Sequence, residues 1–206
     1  MDIAFQRATL FAILAIAVAL MRYGTYFYSI YLGQTKPHAF SWLLWGVMVG
    51  IGALAQFELQ GGPSAYALAV VSISCLVIAF LALFVGEKNF TRSDWLALLA
   101  ALAAIPIWKA TNNPVLALLL LICIDCLSYY PTFRKTYGKP DTEPPISYFW
   151  AGLRYFFVLF SVPEASWQTL MYPTFLMISD WGFGVFIVIR RWQLGLPLHE
   201  YAKAKM

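Results

Sequence analysis

Seven apolar runs divide the chain, approximately Ala8 to Gly33, Ala39 to Leu59, Ala65 to Gly86, Asp94 to Lys109, Asn113 to Arg134, Ile146 to Val162 and Trp167 to Ile189. A helix needs roughly 20 apolar residues to cross a hydrocarbon core, and most of the runs approach or exceed that length. Runs such as Trp95 to Ile107 lack period-two alternation. That excludes a transmembrane barrel and leaves helices, the other structure that satisfies every backbone polar group in lipid. The fourth run is the shortest and contains Pro106. Between the runs lie Lys36-Pro37, Gly61-Gly62-Pro63, Gly86 through Ser93, Asn112-Asn113-Pro114, Lys139 through Pro145 and Val162-Pro163. These are short turns with ordinary breaker residues, none long enough for a separate domain. Thr91 and Ser93 ahead of Asp94 predict a cap for the fourth helix.

The stretch Tyr129 to Gly152 repeats the plan of Tyr26 to Gly46. A shift of 103 positions superposes Tyr26 on Tyr129, Phe27 on Tyr130, Ile30 on Phe133, Lys36 on Lys139 and Pro37 on Pro140. After a three-residue insertion, Ser41 falls on Ser147, Trp42 on Tyr148 and Gly46 on Gly152. Helices one and two thus correspond to five and six. They lie four spans apart, so the repeats are parallel, related by an axis along the membrane normal. The expectation is an all-α polytopic membrane protein of seven transmembrane helices in a 3+1+3 arrangement. Residues 1–90 would form the first triplet, 91–111 the linker helix and 112–206 the second triplet with a short tail. Helices three and seven correspond poorly, with Tyr66 and Tyr172 as the one suggestive match.

Composition agrees with this picture: 61% of the residues are hydrophobic and only 12% charged, with a mean hydropathy of +0.70, outside the balance of soluble domains. The net charge of +4 sits in short loops, so it points to topology rather than to nucleic acid. With seven spans, ten Lys and Arg fall on the side of the C-terminus: Lys36, Lys88, Arg92, Arg134, Lys135, Lys139, Arg190, Arg191, Lys203 and Lys205. The other side receives Arg7 and Lys109. The positive-inside rule then places the N-terminus outside and the C-terminus in the cytoplasm. The first run carries no basic n-region and no clean cleavage site, and reads as a retained span. Cys75, Cys123 and Cys126 lie inside apolar runs, so a disulfide framework is not expected, and the C-x-x-C reads as two small core residues.

This architecture, with Pro131 near the cytoplasmic end of a repeated first helix, resembles the PQ-loop superfamily, which includes the SWEET sugar facilitators, their half-size bacterial relatives and the cystine exporters. The strings TKPHAFSWLLWG and YPTFRKTYGKP look like a group of bacterial PQ-loop-like proteins of about this length. The resemblance implies a multi-pass protein of a bacterial inner membrane, with Lys36, Pro37, Pro131, Lys139 and Pro140 as the repeat and turn motif. The chain departs from the family motif: Pro131-Thr132 and Tyr28-Ser29 stand where the family has Pro-Gln. Where sugar facilitators place paired Asn, this chain offers Ser72 and Ser74 in one helix and Ser179, Asp180 and Trp181 in the other. The resemblance therefore extends to fold and not to sugar as substrate.

Four ionisable residues fall inside spans: Arg22, Asp125, Arg154 and Asp180. Charges at that depth are costly and face a bundle interior or a wet cavity. Arg22 and Asp125 are separated by the repeat shift itself, which predicts an ion pair across the triplets, with Arg154 and Asp180 pairing in the second. Such a set is either a structural staple or the lining of a transport site. Ser74 and Trp181 complete the candidate substrate and gating set. Trp42, Trp45, Trp150, Tyr129 and Tyr130 read as an interfacial belt. Gly46 and Gly50 read as a packing motif. Gln56 reads as an outer-interface residue, His38 as a loop residue and the Arg190-Arg191-Trp192 tail as a stop signal attracted to anionic lipid.

No nucleophile beside a base, no metal-spaced His and carboxylate set and no phosphate loop stands out, so no catalytic residue, metal or cofactor is expected. The leading expectation is a carrier for a small polar solute, anionic or zwitterionic given two Arg in the membrane. The runner-up is a PQ-loop-like receptor or accessory subunit without transport. The lipid bilayer is the expected partner, together with an oligomer or larger membrane assembly in the runner-up case.

Overall fold

The computed structural model describes residues 3–33, 37, 39–86, 92–142 and 145–197, without the side chains at positions 29, 93, 94, 97, 127, 128, 130–132, 134, 135 and 142. They form helices α1 (Ile3–Tyr31), α2 (Ala39–Glu58), α3 (Pro63–Val85), α4 (Arg92–Thr111), α5 (Pro114–Gly138), α6 (Pro145–Phe160) and α7 (Trp167–Gln193). One 3-10 turn covers Pro140–Thr142, and no strand occurs among the described residues. Lys36, His38, Lys88, Thr91, Lys203 and Lys205 lie outside the described residues, as do the side chains of Ser93, Asp94, Tyr130, Pro131, Thr132, Arg134 and Lys135.

Local chemistry sets the helix ends. Pro63 occupies the first turn of α3, where its missing N–H costs nothing, after Gly62 at φ 59°. Asn112 closes α4 in the left-handed region at φ 51°. A capping box starts α7: the Ser166 hydroxyl accepts from the Thr169 N–H at 3.2 Å and the Thr169 hydroxyl accepts from the Ser166 N–H at 3.0 Å. Pro106 and Pro173 lie inside α4 and α7.

Among the described residues, four helices are long and apolar enough to cross a membrane: Ile3–Tyr28, Ala39–Glu58, Pro63–Val85 and Trp167–Gln193. Leu98–Thr111 and Pro114–Cys126 are shorter apolar segments. Large apolar side chains point outward along them, among them Phe80 and Phe84 on α3 and Leu96 on α4, each more than half exposed. Several apolar helices of this kind are consistent with a membrane protein.

In the first three helices, α3 packs against both α1 and α2; in the last three, α7 packs against both α5 and α6. Across these groups α1 meets α6 and α2 meets α5, while α4 lies on α2 and α5. Small residues allow close approach of the helix backbones. Ala8, Ala12, Ala15 and Ala19 form one buried stripe on α1. On α2, a Cβ at Gly46 would stand 2.7 Å from the Leu76 side chain, and one at Gly50 would stand 2.8 Å from Ser72 Oγ. The Ser72 hydroxyl fastens that crossing by donating to the Gly46 carbonyl at 2.7 Å.

The structure departs from the sequence pattern at several places. Helix α5 continues to Gly138, beyond the expected end at Arg134, because its last turn is held: Thr136 is fully buried, and Arg190 donates to the Tyr137 carbonyl at 2.8 Å with its guanidinium over the Tyr137 ring. Arg191 is not a lipid-facing tail residue. It is buried and donates to the carbonyls of Pro140 at 3.0 Å and Pro197 at 3.2 Å, tying the end of α7 to the turn after Lys139. Cys123 and Cys126 are exposed rather than in the core, leaving Cys75 as the buried cysteine. Tyr66 and Tyr172 are not equivalent in environment either: Tyr66 is 62% exposed and Tyr172 fully buried.

Candidate functional site

A cavity of about 400 Å³ lies between the first three and the last three helices. Its lining contains both members of four repeat-equivalent pairs: Arg22 and Asp125, Tyr26 and Tyr129, Ser41 and Ser147, Trp42 and Tyr148. The duplicated segments therefore converge on one space. It extends from mid-helix, at the level of Arg22, Asp125 and Asp180, toward the end where α1 and α5 finish and α2 and α6 begin.

All four ionisable residues expected inside spans line this cavity, but the expected ion pairs do not form among the described residues. Arg154 is 4% exposed and turns instead to hydroxyl and ring partners. It donates to the Tyr23 hydroxyl at 2.7 Å, lies over the Tyr155 ring at 4.3 Å, and leaves Nε buried without a hydrogen bond among the described residues. The Tyr23 hydroxyl also lies 3.4 Å from Cys75 Sγ. Asp180 is met by Tyr129, whose hydroxyl donates to Oδ1 at 3.0 Å. Arg22 donates one longer bond of 3.3 Å to Ser147 Oγ. The Asp125 carboxylate, 5% exposed, has no hydrogen bond or ion pair among the described residues. Tyrosines thus do the work that the opposite charges were expected to do, because an aromatic hydroxyl can satisfy a guanidinium or a carboxylate without a second desolvated ion.

The remaining expected site residues serve the scaffold. Ser74 spends its hydroxyl on the Val70 carbonyl of its own helix at 2.8 Å. The Trp181 indole donates to the Phe149 carbonyl at 3.1 Å and packs on Gly152, where any Cβ would collide with the ring. Pro37 is buried beside Gly86, Pro140 accepts from Arg191, and Lys139 is exposed.

Of the expected interfacial aromatics, Trp42, Trp45 and Tyr129 line the cavity, and Trp42 is buried against Tyr23 and Tyr26. Trp150 remains partly exposed. The spacing signal for these residues was present in the repeat, since Trp42 matches Tyr148 and Tyr26 matches Tyr129. Tyr23 and Ser147 were missed as partners of the arginines.

The opposite end is filled. Gln56, fully buried rather than interfacial, donates from Nε2 to the Thr169 carbonyl of α7 and lies 3.4 Å from the Ser64 hydroxyl of α3. Gly62 sits against Pro163, and Gly52 against the ring of Tyr172. Tyr172 lines the inner limit of the cavity with its hydroxyl buried and without a hydrogen bond among the described residues. Those residues contain no group of three or more His, Cys, Asp or Glu able to hold a metal ion. No family model, curated protein or solved structure matches the chain.

Proposed function

We propose that this protein is a membrane carrier for a small polar solute, working by movement of one helix triplet against the other. The observation that carries the reading is the cavity between the triplets, where both copies of the repeat contribute residues and four ionisable side chains are gathered. A purely structural staple would have its charges mutually paired, whereas here Asp125 lines a space large enough for a solute. At about 400 Å³ that space falls within the roughly 300–1,000 Å³ of small-molecule sites.

In this reading the chain is of 3+1+3 plan and PQ-loop-like, with α4 as linker. It lies in a bacterial inner membrane with the N-terminus outside. The reciprocal packing of α1 on α6 and α2 on α5, and the central position of α3 and α7 in their groups, support it. The filled end around Gln56 then faces outward, and the cavity belongs to an inward-facing arrangement.

Reconstitution into proteoliposomes tests the carrier directly. Counterflow of labelled anionic and zwitterionic metabolites is expected above protein-free vesicles and is expected to fall on Asp125→Asn. Equal flux with and without protein across a broad metabolite set would sink the reading.

A further inference from the structure

We propose that the ligand of the central cavity is a zwitterion, its ammonium end on Asp125 and its carboxylate end on Arg22. The assignment rests on the reading of this cavity as a solute site.

It follows from sorting the four charges by their partners. In each sign one residue has a close hydrogen bond and the other a longer one or none. Arg154 is held by the Tyr23 hydroxyl and the Tyr155 ring, and Asp180 accepts from Tyr129. Arg22 makes a single bond of 3.3 Å to a neutral serine, although a guanidinium carries five donors in a fork suited to a carboxylate. Asp125 has no hydrogen bond among the described residues while lining the cavity.

A ligand with one positive and one negative end matches that remainder. An anion satisfying Arg22 would leave Asp125 buried and unpaired nearby, with Asp180 adding to the repulsion. A cation on Asp125 would leave Arg22 in the same position. Burying an uncompensated charge in such a site is more costly than the contact it makes. The lining is also aromatic, with Trp42 and Tyr148 among its residues, so a ligand in it meets ring faces. Those faces also favour an ammonium group over a neutral polar one.

Arg22 and Asp125 belong to different triplets, so the bound zwitterion spans both.

Calorimetric titration of the purified protein in nanodiscs tests this with glycine, β-alanine, γ-aminobutyrate and ε-aminocaproate. The controls are butyrate, caproate, butylammonium and hexylammonium. At least one amino acid of the series is expected to bind about tenfold or more tightly than any of the four single-charge controls. Asp125→Asn is expected to bring the zwitterion down to the level of the carboxylate control, and Arg22→Gln to that of the amine control. Arg22→Lys is expected to keep part of the preference, and unchanged unfolding midpoints show that the variants fold.

A single-charge control binding as tightly as its zwitterion, a preference that survives Asp125→Asn, or no binding by any of the eight compounds would overturn the assignment. Flux is scored separately in vesicles. Zwitterion binding without flux supports the assignment and overturns the carrier; flux of single-charge solutes without zwitterion preference does the reverse.

Discussion

Arg154 on α6 donates a hydrogen bond of 2.7 Å to the Tyr23 hydroxyl on α1, so a cation of the last three helices is held by a phenol of the first three. Tyr23 is 2% exposed and its hydroxyl is also next to Cys75 of α3. Three helices meet at one oxygen. Tyr23→Phe removes the acceptor and leaves a second buried donor of Arg154 without a partner, in addition to Nε. A loss of about 1–3 kcal/mol is expected in denaturant unfolding in detergent. Arg154→Met should cost less in the Tyr23→Phe background than in the wild type, and additive losses in that cycle would refute the coupling.

Gln56 ties α2 to α7 through the Thr169 carbonyl, with Gly62 and Pro163 in contact beside it. If this end opens and closes during transport, loosening it shifts the population of the two states. In a background without Cys75, Cys123 and Cys126, a cysteine at position 64 is expected to react slowly with a membrane-impermeant maleimide. Adding Gln56→Ala is expected to raise that rate several-fold, on the order of the fivefold that about 1 kcal/mol of bias produces. An unchanged rate would mean that Gln56 holds nothing shut.

Gly152 gives a sharper steric test. Its position on α6 faces the Trp181 indole so closely that no Cβ fits, while the indole N–H is anchored on Phe149. Gly152→Ala should destabilise by about 1–3 kcal/mol through overpacking. The same change at Gly24, where a Cβ meets nothing within 4 Å, should be neutral or slightly stabilising in a helix. Equal thermal shifts for the two variants would count against the α6–α7 packing.

Orientation has its own check. A green fluorescent protein fused at the C-terminus is expected to fluoresce and an alkaline phosphatase at the same place to stay inactive, with the opposite result for a fusion after residue 60. Active phosphatase at the C-terminus would reverse the topology.

The sequence made the helices legible because their signal is strong: long apolar runs separated by Gly, Pro and Asn. The limits of α5 and α7 were less so. Apolar run length stops at Arg134 and Ile189, whereas the helices continue through polar residues that are held by Tyr137, Arg190 and Arg191. The repeat shift brought Arg22 and Asp125 into one cavity, since register within a duplicated helix is a backbone property that sequence matching can read. What those charges touch was not readable. Partner choice depends on side-chain reach across helix crossings, and Tyr23, Ser147 and Tyr129 carry no periodic mark that separates them from the other aromatics and serines of these helices. Gln56 was misplaced for a related reason: a lone amide near a helix end looks interfacial until the opposing carbonyl of Thr169 is known.

The opposite signs at positions 22 and 125 carry one more implication. Two separate copies of one triplet, joined by a twofold axis, would have to place the same residue at both positions. The cavity would then face either two guanidiniums or two carboxylates, and a ligand would bind equally well in either of two orientations. Joining both halves in a single chain removes that constraint. In the proposed reading the pocket acquires a direction, with Arg22 on one wall and Asp125 on the other, and a zwitterion entering it has only one way round.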